Sequence, residues 1–402
     1  MLAIAEITTE PQHPTDGDDA VAPNPDAPTR AAPRTLRSDV VRYGTPVAIF
    51  LSGRLLTLAA AHAARLINPA KGLLSIHGSW DAAWYRNLAE NGYPTTHPPG
   101  VGDPAQSTLA FFPAFPILIR AVHAVTGISY SSAGILVNVV LGAVASILIW
   151  LVAERVANAK TATRAVALFS FFPGSFILGM GYTEGLFLVC AGACLLALMH
   201  ERWLIAGLAA GVGSATRATG WVLCLVCAWA AFVVWRERRT WKPLLAPALS
   251  PLGLIAFSVY LWAHTGDPLM WRASQKIGWN QGFVTSDTIR GLWDWLPRPL
   301  FSFNILVSAL TMAMVAVFVL SVLRWRWRLG SLLGIYTFGV LTTAMAVSQL
   351  NSTPRYVMPA FGAYIWVANK LSETTYSMLL AVWAGGMAIL MLMSGGTQWY
   401  TP

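Results

Sequence analysis

Apolar runs about as long as a bilayer is thick recur along the whole chain, and several of them end in clusters of arginine and lysine. About 20 apolar residues in a helix match the ~30 Å hydrocarbon core of a membrane. Within that core every backbone N–H and C=O has to be satisfied internally, which leaves helices or a closed barrel. Runs this long, without strand-like alternation, select helices. Only 11% of the 402 residues are charged, against about 25% in soluble domains. The sequence therefore predicts an all-α polytopic membrane protein.

Eleven spans are predicted, near residues 44–64, 134–152, 165–180, 185–199, 203–219, 220–235, 244–263, 301–323, 329–350, 356–368 and 376–393. Residues 111–127 are apolar but carry Pro113, Pro116, Arg120 and His123, so they are expected to lie along an interface or re-enter partway. Counted as non-crossing, they leave every basic cluster on one side: Arg30 to Arg42, Arg155 to Arg164, Arg236 to Lys242, and Arg324 to Arg328. The positive-inside rule makes that side, and the N-terminus, cytoplasmic. Crossing would give twelve spans; ten to twelve is the range. Residues 1–39 are rich in Pro, Ala, Thr and Asp and read as a disordered cytoplasmic tail with no cleavable signal peptide. Residues 40–402 form the membrane domain, with long extracytoplasmic loops at 65–131 and 264–300. The net charge of +9 belongs to the topology clusters and not to a nucleic-acid surface.

The polar residues then gather on the outer side. Asp81 lies in W-D-A-A-W-Y-R, bracketed by Trp80, Trp84 and Tyr85. A carboxylate held there could act as a general base on a hydroxyl; it could equally cap a surface helix. Glu184, in Y-T-E-G after Tyr182, and Arg217, in S-A-T-R-A-T-G, sit at the ends of short spans. They form either a structural ion pair or a site in which Arg217 receives a lipid phosphate and Glu184 orients a hydroxyl or Arg217. Arg355 and Tyr356 begin a later span, and Arg355 is either a second phosphate ligand or a snorkelling anchor. His264, Gln275 and Trp279 offer sugar- or head-group contacts from the second long loop, where Trp293 and Trp295 read equally well as an interfacial belt. Arg54, in the middle of the first span, needs a partner that the sequence does not name. Cys190, Cys194, Cys224 and Cys227 read as small apolar filler. No metal or cofactor is expected: His77 and Asp81 lie four apart and His97 follows, but no third ligand has convincing spacing, and no phosphate-binding loop motif is present.

Several of these segments together resemble the PIG-V-type mannosyltransferases (GPI mannosyltransferase II-like) and their bacterial relatives. W-D-A-A-W-Y-R-N-L-A-E-N-G-Y is similar to their W-D-x4-I-A-x2-G-Y motif. A-F-F-P-A-F-P, from Ala110, is similar to their F-F-P-x-x-P, and F-F-P-G-S-F-I-L-G-M-G-Y-T-E to their F-P-x-S…Y-[ST]-E. S-A-T-R-A-T-G and T-G-D-P-L follow in the same order. Gly185 departs from the Ser or Ala usual after the glutamate. The resemblance implies a GT-C glycosyltransferase fold and an inverting transfer of mannose from a polyprenyl-phosphate-mannose donor lipid to a glycolipid or glycan acceptor outside the plasma membrane. It also implies Asp81 as the base. The rival classes are a transporter or lipid flippase with a similar span count and a non-catalytic subunit of the same architecture. A transporter would favour internal repeats, and none is evident between the halves.

Overall fold

The computed structural model describes residues 36–95, 106–279, 299–324, 331–346, 352–397, 400 and 402. Most of the predicted 1–39 tail, His97, Trp293 and Trp295 lie outside the described residues. Within them the chain is helical, with no strand. The first helix, α1, is Leu36–Ile67. Two short helices follow it, α2 (Leu73–His77) and α3 (Asp81–Asn91). Next come α4 (Ala114–Thr126), α5 (Tyr130–Val156), α6 (Ala159–Phe171), α7 (Glu184–Met199), α8 (Trp203–Ser214) and α9 (Trp221–Arg238). The second half holds α10 (Leu245–Leu249), α11 (Leu252–Thr265), α12 (Met270–Trp279), α13 (Pro299–Arg324) and α14 (Ser331–Ala346). It closes with α15 (Thr353–Val357), α16 (Phe361–Lys370) and α17 (Glu373–Leu392).

Among the described residues, five helical stretches are long and apolar enough to cross a bilayer, or six if the bent pair Ala159–Phe171 and Pro173–Gly179 counts as one span. Each of the eleven predicted spans coincides with helix, but several are short. α7 has 16 residues, about 24 Å at 1.5 Å per residue. Short spans put their ends inside the hydrocarbon depth, and polar groups at those ends must find partners there.

Ion pairs at one end of the bundle fix how the helices run. Arg42, near the start of α1, bonds Glu154 at the end of α5. Arg164, early in α6, meets Glu373 at the start of α17 at 3.8 Å, and Arg238 at the end of α9 meets Glu201 before α8 at 2.8 Å. The opposite end gathers the end of α1, the start of α7, the exit of α8 and the start of α15. Both flanks of α4 lie at this second end. Its Ala114 N–H donates to the Ala215 carbonyl at 3.1 Å, and His123 stacks on Tyr130, the first residue of α5, at 3.9 Å. α4 thus starts and finishes on one face of the bundle.

The span predicted at 165–180 is broken in a way Pro173 explains. Proline carries no N–H and pushes the residue before it out of helical backbone; Phe172 is extended (φ −56°, ψ 140°). The chain turns by 76° into a short 3-10 segment, Pro173–Gly179. The carbonyls freed at the break find donors: Ser175 Oγ donates to Phe169 O at 2.6 Å, and Arg54 donates to Ser170 O at 3.0 Å and also to Ser175 O. That is the partner Arg54 needs: backbone carbonyls, with its guanidinium over the Phe50 ring at 4.9 Å. A buried cation stabilised by carbonyl dipoles holds the kink in place without a carboxylate.

Candidate functional site

The broken span delivers the Y-T-E motif to the second end of the bundle. Asn138 of α5 clamps it there. Its Nδ2 donates to Ile177 O (3.0 Å) and Met180 O (2.8 Å), and its Oδ1 accepts from Gly185 N–H (2.8 Å). Gly185 is where the motif departs from the family pattern, and the packing shows why: a Cβ there would stand 2.5 Å from Asn138 Oδ1 and 2.8 Å from Asn138 O. Both contacts are too close to survive without displacing a buried hydrogen-bonded amide. Gly185→Ala is therefore expected to cost about 1–3 kcal/mol of stability as an overpacking change. Thermal unfolding in detergent should show a lower midpoint, and an unchanged midpoint would remove the clamp as the reason for this glycine.

Glu184 opens α7 and is fully buried. Its Oε1 accepts from Arg217 at 2.9 Å and from Arg355 at 2.7 Å. Arg355 in turn donates to Asp81 Oδ2 at 2.5 Å. Two carboxylates and two guanidiniums thus form one chain, Asp81–Arg355–Glu184–Arg217. Arg217 reaches it because α8 stops at Ser214 and residue 217 is fully extended (φ −167°, ψ 160°) before a 3-10 turn leads into α9. Arg355 reaches it from α15, which packs against the broken span at Gly174, where any Cβ would run into the Pro354 carbonyl. The Arg355 guanidinium also lies over the ring of Tyr182 at 4.6 Å.

Asp81 does not cap α3. Trp80 holds the cap position in a positive-φ conformation (φ 57°, ψ −131°), and Asp81 is the first helical residue. Positive φ is costly for a bulky side chain and persists where surrounding structure imposes it. Its effect here is to turn the chain so that the Asp81 carboxylate meets Arg355. The Asp81 N–H donates to Tyr182 Oη at 3.3 Å.

These groups border a cavity of about 410 Å³, a size usual for small-molecule sites. Asp81, Arg217 and Arg355 line one part of it. Trp80, Trp84, Tyr85, Phe111 and Trp279 line another. Trp84 stacks on Phe111 (6.0 Å) and meets Trp279 edge-on (5.4 Å), while Tyr85 is wedged between Phe111 (4.9 Å) and Phe115 (5.4 Å). α12 is docked on the loop before α4: Gln275 donates to Ala110 O at 3.1 Å, and Gln106 donates to Gly278 O at 3.2 Å. Val340, Thr343 and Ala344 of α14 complete the wall.

Of the residues singled out from sequence, Asp81, Arg217, Arg355, Trp80, Trp84, Tyr85, Gln275, Trp279 and Tyr356 line this cavity. Three do not. Glu184 lies behind the two arginines and accepts a hydrogen bond from each. Tyr182 is fully buried beneath Arg355. His264 is turned away, stacked on Tyr260 at 5.2 Å with Nε2 3.0 Å from the Tyr93 carbonyl oxygen. The structure adds Gln106, Thr343, Ser352 and Pro402, which lie in no motif, and Thr219, two residues after Arg217 in S-A-T-R-A-T-G. His77, four residues before Asp81, has Nδ1 2.9 Å from its own helix's Leu73 carbonyl oxygen. Cys194 and Cys227 lie side by side at 3.6 Å in the helical core, far along α7 and α9 from the cavity's charged groups.

A family model described as dolichyl-phosphate-mannose-protein mannosyltransferase matches residues 107–262, which run from the loop before α4 through most of α11. No curated protein matches. Among solved structures the chain is similar to ArnT from Cupriavidus metallidurans bound to undecaprenyl phosphate, at 16% identity and TM-score 0.45, over 77% of this chain and 58% of that one. It is also similar to the Archaeoglobus fulgidus oligosaccharyltransferase tethered to an acceptor peptide, at 14% identity and TM-score 0.48, over 88% of this chain and 56% of that one. The chain therefore spans a little over half the length of either structure.

Proposed function

We propose that this chain is an integral plasma-membrane glycosyltransferase of the GT-C type that moves mannose from a polyprenyl-phosphate donor to a hydroxyl of a glycolipid or glycan acceptor, with inversion, on the extracytoplasmic side. One observation carries the reading. Asp81, the only acidic side chain lining the cavity among the described residues, shares that cavity with two arginines anchored from behind by a buried glutamate. The family description that matches residues 107–262, a mannosyltransferase using a dolichyl-phosphate sugar, agrees with it, and so does the order of the PIG-V-like motifs.

The chemistry follows from that arrangement. The acceptor hydroxyl gives its proton to Asp81 as its oxygen forms a bond to the anomeric carbon. The bond from that carbon to the phosphate oxygen breaks, and its electron pair leaves with the phosphate. Arg217 and Arg355 stabilise the charge that develops there. A single acidic side chain in the cavity suits one direct displacement, hence inversion; retention calls for a second carboxylate as nucleophile about 5 Å away. Arg355 also links the two halves of the reaction. Its guanidinium donates to Asp81. A phosphate in the cavity competes for that guanidinium and frees Asp81 to accept a proton.

The basic ends of the helices lie opposite the cavity, which supports an outward-facing site by the positive-inside rule. Purified protein supplied with a radiolabelled polyprenyl-phosphate mannose and a membrane glycolipid extract should transfer the label to the extract. Reconstituted protein that carries the labelled lipid across a bilayer without transferring sugar would favour the transporter reading instead.

A further inference from the structure

The segment after α17 was silent in the sequence, yet its described residues end in the cavity. A segment that follows the last long helix ordinarily frays unless it is tied down. Here it is docked. Met393–Thr397 forms a π-turn in which Thr397 Oγ1 donates to Met393 O at 3.1 Å. Gly395 and Gly396 press on the end of α1 and on α2: a Cβ at Gly395 would come within 2.7 Å of Ile76 Cγ2, and one at Gly396 within 3.3 Å of Ala64 Cα. Lys71 Nζ and Asn68 Nδ2 lie 3.5 Å from the carbonyl oxygens of Gly395 and Gly396. Beyond the turn, Tyr400 is fully buried with its ring 6.1 Å from Phe176 of the broken span. Pro402 is buried and lines the cavity together with Ser352, Arg355 and Tyr356.

We propose that residues 393–397, Tyr400 and Pro402 form the wall of the cavity beside Arg355 against which the ligand's head group packs. Pro402 meets the ligand, and Tyr400 is the positioning residue that anchors the wall through its packing on Phe176. The ligand's chemistry, a lipid phosphate, rests on the glycosyltransferase reading; the wall itself rests on the packing. A rigid ring is suited to this place because it fills volume without rotamer freedom to lose.

The test uses full-length protein in nanodiscs and measures binding of radiolabelled undecaprenyl phosphate together with thermal stability. Pro402→Trp fills the space and should weaken binding by roughly tenfold or more, the scale of a steric misfit in a packed site, with little change in unfolding midpoint. Tyr400→Ala should weaken binding similarly, and Tyr400→Phe, which keeps the ring on Phe176, should restore it. Binding within about twofold of wild type in both Pro402→Trp and Tyr400→Ala overturns the proposal, because a tenfold effect is 1.4 kcal/mol and is resolvable. Arg355→Ala is the comparison for the function. If Arg355→Ala binds normally while Pro402→Trp does not, the phosphate reading fails and the wall stands. If the wild-type protein binds no undecaprenyl phosphate, a bis-maleimide cross-link between Pro402→Cys and Ser352→Cys decides the wall alone, and its absence overturns it.

Discussion

Asp81→Asn should abolish sugar transfer while leaving the protein folded and inserted. General-base catalysis contributes typically 10²–10⁴-fold, so kcat is expected to fall by about a thousandfold. The fold should survive because the amide is isosteric and its oxygen can still accept from Arg355. Arg355 also keeps its second partner, Glu184, at 2.7 Å. Donor-lipid binding should stay within a few-fold of wild type, since Arg217 and Arg355 remain in place and Arg355 loses a competitor for phosphate. The measurement is transfer of label from a polyprenyl-phosphate sugar, scored beside the unfolding midpoint in detergent. Full activity in Asp81→Asn would remove Asp81 from the mechanism and with it the inverting scheme. Asp81→Glu offers a second view. It keeps the charge but moves the carboxylate by one methylene, and in a site where misplacement by about 1 Å can cost a hundredfold, activity should be partial.

How far the site was legible in the sequence depended on whether the signal was local. Helix existence was legible because each span is a continuous apolar run. The break within 165–180 was not placed, although Pro173 is a local signal that could have placed it. The association of Glu184 with Arg217 could be anticipated from their matching positions at the ends of short spans, and the structure pairs them at 2.9 Å. The addition of Arg355, and its bond to Asp81 274 positions away in sequence, could not be. Only the stacking order of α3, α7 and α15 creates that bond, and no periodicity encodes it. Arg54 was recognised as needing a partner, but the acceptors are backbone carbonyls exposed by a kink, which have no sequence signature. His264 begins the second loop and so reads as a substrate contact, yet its contacts are with Tyr93 and Tyr260. Tyr400 and Pro402 carry no local signal, because a short stretch after the last span resembles any polar tail.

Glu184→Ala should be the most destabilising single change at the site. The glutamate is fully buried and holds two guanidiniums whose side chains are only 6% and 11% exposed. Removing one member of a buried ionic group leaves its partners desolvated and uncompensated, at a cost of about 3–5 kcal/mol. Arg355 would then lean wholly on Asp81, and Arg217 would have no carboxylate among the described residues. Transfer should fall with stability, so Ala alone does not separate a structural role from a positioning one. Glu184→Gln does. It keeps the volume and one accepting oxygen, and the unfolding midpoint should drop far less than in the alanine variant. Without the negative charge to share, Arg355 holds Asp81 more tightly and yields it less readily when phosphate arrives. The loss should therefore appear both as a lower kcat and as a higher KM for the donor lipid. A glutamine variant that is as unstable as the alanine one and has unaltered kcat in its folded fraction would show that Glu184 only supports the fold. A wild-type unfolding midpoint in Glu184→Ala would show that the four charged groups do not act as one unit.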